Sequence, residues 1–163
     1  MVKVPKYRPK GGVTTDDVPE GEHEAVIKDT DTVTLQRPKR VWDKKLKANV
    51  VALDESGNEV MEDYDLLKTY FEITDVEGKP VVSDLTSLSM NPGDKDGNMR
   101  STLYKNAMVL DEVPENGEEL DTDNFVGRAV VVKIIGKRIG DTTWANVDGP
   151  IVRALDTHQR KIA

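Results

Sequence analysis

Residues 129 to 135 read Ala-Val-Val-Val-Lys-Ile-Ile, the most β-branched stretch of the chain. Side chains branched at Cβ lose χ1 freedom against a helical turn and sit well on a pleated surface, so this segment is read as a strand. Gly136-Lys137-Arg138-Ile139-Gly140-Asp141 supplies a turn, and Thr142 to Val147 returns with Ala145 and Val147 on one face and Trp144 and Asn146 on the other. A lone hairpin is marginal in water, so this end of the chain requires further strands to pack with.

Those strands can be found upstream. Leu67, Thr69, Phe71 and Ile73 alternate with Lys68, Tyr70 and Glu72; Glu77-Gly78-Lys79-Pro80 makes a turn; and Val81, Val82, Leu85 and Leu88 return toward Met90. Earlier, His23, Ala25 and Ile27 alternate with Glu22, Glu24, Val26 and Lys28, and Val33 and Leu35 continue the strand after an irregularity around Asp29 to Asp31. Val50, Val51 and Leu53, followed by a Gly57-Asn58 turn, suggest a small hairpin or elaborated loop. One helix is expected, from Met99, Leu103, Ala107 and Leu110 at helical spacing, with Asn98 as its N-cap and Pro114 beyond its end.

The order is strand, hairpin, helix, hairpin. This predicts a mainly β protein: a five-stranded OB-fold-like barrel over residues 20–156, with one helix between strands 3 and 4. A β-sandwich with an incidental helix is the alternative. Residues 1–19 carry Pro, Gly and basic charge without periodicity and are expected to form a flexible arm, and 157–163 a short tail. The N-terminus lacks the apolar run of a signal sequence, and no apolar span is long enough for a membrane helix, which predicts neither a secreted precursor nor a membrane protein and places it in the cytoplasm. With no cysteine, disulfides, thiolate metal sites and thiol nucleophiles are excluded.

Charge then points to a partner. From Gln36 to Ala48, six Lys and Arg surround one Trp and one Asp, in a chain of net charge −7. This stretch is read as a long basic loop, 36–49, between the first two strands. Cations displace counterions from phosphates and a flat ring offers a base a stacking surface, so Arg37, Lys39, Arg40, Trp42, Lys44, Lys45 and Lys47 become nucleic-acid-binding candidates. A solvated loop is the bland alternative, and Trp42 could equally fold back onto its own barrel. If Phe71, Ile73, Ala145 and Val147 face the core, alternation sends Lys68, Tyr70, Trp144 and Asn146 to the opposite face, with Lys133 also outward. Tyr70 and Trp144 would then stack bases, unless they cap the barrel or pack under the long loop.

Four segments carry a resemblance: Val18-Pro19-Glu20-Gly21-Glu22-His23-Glu24-Ala25-Val26-Ile27, Leu66 to Asp75, Ser101-Thr102-Leu103-Tyr104-Lys105, and Phe125-Val126-Gly127-Arg128 with the valines after it. In this order, over roughly residues 18 to 155, the chain resembles bacteriophage OB-fold proteins thought to bind single-stranded DNA. The resemblance implies single-stranded DNA binding during phage replication or recombination, without catalysis or cofactor, and other replication or recombination proteins as further partners.

Enzyme readings find no support in the residues. His23 and His158 stand in a strand start and a tail, with no nucleophile, base and orienting acid to group with them. Asp94-Lys95-Asp96-Gly97-Asn98 starts like a calcium loop, but Lys105 occupies the place of the closing Glu, so a turn explains it better and no metal site is expected. The competing reading from another class is a phage structural or interaction domain whose basic loop docks an acidic protein.

Overall fold

Alternating hydrophobicity is realised as a twisted antiparallel sheet in the computed structural model, which describes residues 12–156. In chain order the strands are β1 (Gly21–Pro38), β2 (Arg40–Asp43), β3 (Ala48–Val51), β4 (Met61–Ile73), β5 (Val81–Ser87), β6 (Ala129–Ile139), β7 (Thr142–Val147) and β8 (Arg153–Ala154). The main sheet runs β5-β4-β1-β6-β7, with β8 also on β6, and β2 and β3 form a separate two-stranded ribbon. Helix α1 (Thr102–Leu110) falls between β5 and β6. The protein is therefore mainly β with one α-helix among the described residues.

β1 pairs with β4 from Ala25 to Pro38 and with β6 over its first third, Gly21 to Val26. A register shift between Ile27 and Asp29 lets it bend, at the irregularity expected from the sequence. The inner face buries Ala25, Ile27, Leu67, Phe71, Ile73, Val82, Val130, Val132, Ile134 and Ala145, and α1 covers it with Leu103, Ala107 and Leu110. Buried Asn106 ties the helix to the chain beyond β7: its Oδ1 accepts the Ile151 N–H at 2.8 Å.

The expected barrel is not closed by hydrogen bonds. No ladder joins β5 to β7, because the chain's own N-terminal segment takes the free edge of β7: Thr14 bridges Trp144, Ala145 donates to the Val13 carbonyl and Thr15 to that of Thr143. The same contacts correct the expected arm at its inner end, since Val18 is fully buried. Residues 1–11 of the expected arm, and the tail 157–163, lie outside the described residues.

The helix begins later than expected. Ser101, not Asn98, is its N-cap, accepting the Tyr104 N–H at 3.2 Å. Asn98 is occupied in a turn, where its N–H and side-chain amide both bond to Asp94, and Met99 takes a left-handed backbone that no helix can include.

The Phe125-Val126-Gly127-Arg128 segment has an architectural explanation. Phe125 is buried, Gly127 uses a positive φ of 89° while donating to the Ile27 carbonyl, and Arg128 is inserted beside the core. Its guanidinium donates to the Leu110 carbonyl at the helix end and pairs with Glu112 at 3.1 Å and Asp156 at 3.0 Å. Burial opposes ionisation of Asp156, but the Ala129 N–H and Arg128 outweigh it and hold the carboxyl below its usual range.

Candidate nucleic-acid interface

Beyond Thr32 and Leu67, β1 and β4 leave the core and continue as a two-stranded arm to Pro38 and Met61, roughly 20 Å of strand. Alternation gives the arm two unlike faces. One carries Thr32, Thr34, Gln36, Asp63 and Asp65; Thr34 Oγ1 donates to Asp65 at 2.6 Å and Gln36 Nε2 to Asp63 at 3.1 Å. The other carries Val33, Leu35, Arg37, Tyr64 and Leu66 and leads back to Lys68 and Tyr70. On this face the Arg37 guanidinium lies 4.4 Å from the Tyr64 ring centre, and the Lys68 ammonium 5.1 Å from that of Tyr70. Each ring is thereby presented with a cation over it. Arg37 also pairs with Glu62 at 2.9 Å, which offsets its charge.

The arm ends in the β2–β3 ribbon. The basic stretch expected to be a loop is thus mostly strand: Gln36 to Pro38 belong to β1, and Arg40 to Asp43 pair with Ala48 to Val51. Valines make this possible, Val41 facing Val50 and Arg40 facing Val51. Asp43 organises the turn by accepting the N–H groups of Lys45 and Leu46 at 2.8 and 3.0 Å, and Lys47 completes it with a left-handed φ of 52°. Lys39 joins arm to ribbon through backbone bonds with Val60 and Ala52, and the Arg40 guanidinium touches the Asn49 carbonyl. The side chains of Lys39, Arg40, Lys44, Lys45 and Lys47 are exposed. Trp42 is 59% exposed on the ribbon, so it does not fold back onto the body.

The remaining sequence candidates separate. Phe71, Ile73 and Ala145 are buried and Val147 packs against the core, so Lys68, Tyr70, Trp144 and Asn146 do face away from it. Tyr70 pairs with Ser83 and Lys68 with Leu85. Ser83 and Leu85 line one wall of a groove of about 600 Å³, and Trp144 and Asn146 the other. Trp144 is only half exposed there: a Cβ on Gly12 would fall 1.9 Å from its ring, so that backbone packs directly against the indole. Lys133 does not join this surface. It stands opposite Glu22 and 3.7 Å from Asp148, among acids.

Three residues of interest escaped the sequence reading. Tyr64 could have been found by carrying the alternation of Tyr70 and Lys68 back along β4. Lys137 and Asp84 could not, because their proximity depends on how β5 and β7 approach each other. Burial pushes the Asp84 carboxyl from 3.8 up to about 6, against the pull of the Leu85 N–H. His23 has a structural place: Nδ1 lies 2.8 Å from Asp75 and Nε2 2.6 Å from the Pro19 carbonyl, so the ring ties the start of β1 to the β4–β5 turn.

Comparison with protein-family models and with curated proteins gives no match. Among the described residues no helix is long and apolar enough to cross a membrane.

Proposed function

We propose that the protein binds single-stranded DNA without catalysis, using an OB-fold-like body and the projecting basic ribbon, in the phage replication or recombination setting that the resemblance implies. The single observation that carries the reading is Trp42, largely exposed on a ribbon whose tip presents Lys44, Lys45 and Lys47. Exposing an indole to water has a cost that stacking on a base removes, at roughly 1–3 kcal/mol per base. The neighbouring cations would neutralise the phosphates on either side.

The strand order supports the OB-like part of this reading. Five strands in the order β5-β4-β1-β6-β7, with β5 and β7 facing across a groove and one helix between β5 and β6, follow the barrel's connectivity. The arm and ribbon then correspond to an enlarged loop between the first two barrel strands, one of the usual oligonucleotide contacts. Tyr64 and Tyr70, each with a cation over its ring, extend the surface from the ribbon toward the body.

A titration of labelled oligo-dT followed by fluorescence anisotropy, with duplex competitor, tests this. Saturable binding that prefers single strands is expected; equal affinity for duplex, or none for either, overturns it. A second reading is favoured by Leu46 and Leu53, exposed at 68% and 61%: an interaction or phage structural domain whose ribbon docks an acidic protein surface. That reading expects no binding to nucleic acid of either kind.

A further inference from the structure

The groove between β5 and β7 has a chemistry different from that of the ribbon. Its lining brings together Asp84, Lys137, Ser83, Trp144 and Asn146 with aliphatic Val13, Val81, Val82 and Ile139. Its volume, about 600 Å³, lies within the roughly 300–1,000 Å³ of small-ligand sites. Among the described residues that line it, Asp84 and Lys137 are the charged ones.

We infer that this groove receives a guanine base, with Trp144 as its stacking wall, Asp84 as the acceptor for its hydrogen-bonding edge and Lys137 for the attached phosphate. The inference deepens the proposed single-strand binding and rests on it for the physiological ligand.

A carboxylate carries only acceptors and can take two parallel N–H donors. Of the four DNA bases, guanine alone presents two adjacent donors, N1–H and N2–H, on its Watson–Crick edge. Adenine and cytosine each set one donor beside an acceptor, and thymine sets its single N–H between two carbonyls, so each would place a lone pair against the carboxylate. Asp84 pairs in register with buried Thr69 and so sits on the inner side of β5, where water competes less for its oxygens. Its raised pKa, about 6, reflects that incomplete solvation, and the carboxylate remains ionised at neutral pH. An ionised group kept where burial disfavours it marks a candidate site when it also lines a cleft.

Gly12 holds the Trp144 ring, so the wall is fixed before a ligand arrives. A guanidinium from an arginine-bearing protein would also match Asp84 and Trp144. Lys137 decides between the two occupants, since its ammonium repels a guanidinium and attracts a nucleotide phosphate.

The test is an NMR titration of the full chain with each of the four deoxynucleoside monophosphates and with arginine amide, following the Trp144 indole N–H. dGMP is expected to shift that resonance and to bind roughly tenfold or more tightly than dAMP, the scale of one bidentate base contact. Asp84→Asn should erase the preference while the protein stays folded by its amide spectrum. Equal binding of the four nucleotides, a guanine preference that survives Asp84→Asn, or tighter binding of arginine amide overturns the inference. A parallel titration compares oligo-dT with the same oligonucleotide carrying one guanine. Binding of both with equal affinity leaves the ribbon reading standing and overturns the groove, whereas Asp84-dependent dGMP binding without any oligonucleotide binding supports the groove and removes the ribbon reading.

Discussion

Trp42 and Asp84 behave as opposites at the level of single residues. Trp42 is 59% exposed and lies outside the buried core, so Trp42→Ala should leave the melting temperature within about 1 °C while weakening oligo-dT binding by roughly 1–3 kcal/mol, about 5- to 150-fold. Anisotropy titrations beside thermal melts check both halves. Asp84 carries the reverse balance. Its carboxyl binds a proton more tightly folded, at about 6, than unfolded, near 3.8. Between those values the folded state holds the extra proton, so stability falls as pH rises from about 4 through about 6. Asp84→Asn should abolish that slope and stabilise the protein at pH 7 by up to about 3 kcal/mol, as measured by denaturant unfolding at several pH values. The sequence could name Trp42 as unusual, but it could not say whether that ring was free or folded back.

Two elements of the fold can be separated experimentally. The ribbon and its junction, Lys39 to Val60, leave and rejoin the arm at the paired residues Pro38 and Met61. Replacing them with a two-residue Asn-Gly turn should preserve the sheet and its cooperative unfolding while removing most single-strand affinity; circular dichroism and anisotropy on the same variant report each outcome. Arg128 is integral to the body. It joins the end of α1, Glu112 and Asp156 from a buried position, so Arg128→Ala removes a buried cation that two carboxylates and a helix-end carbonyl share. A loss of about 3–5 kcal/mol in denaturant unfolding is expected. Asp156, whose carboxyl lies below its usual range, contributes stability above pH 4 that disappears as pH falls.

Across the whole molecule, charge is divided between a mostly acidic chain of net −7 and a basic ribbon. Among the described residues Arg37 is offset by Glu62 and Lys133 by Asp148, while Lys39, Arg40, Lys44, Lys45 and Lys47 stand exposed together as the phosphate contacts of the ribbon. Five contacts to a single strand give a log–log salt slope of about −3.5, or roughly a hundredfold loss of affinity between 50 and 200 mM salt. Titrations at four salt concentrations measure the slope; a flat response excludes the phosphate contacts.

Alternation along Ala129 to Val147 and Leu67 to Leu85 determined the two hairpins, their inward faces and the mainly β class, because side-chain direction in a strand depends only on local period. It also placed the irregularity of β1 near Asp29 and the charge near Trp42. Tertiary structure alone decided which edges meet: residues 13 to 15 take the free edge of β7, the barrel stays open there, and Asp84, Lys137 and Trp144 come to share a groove. Hydrogen bonds between strand edges join residues more than a hundred positions apart, and no local pattern specifies which of several compatible edges will reach the partner first.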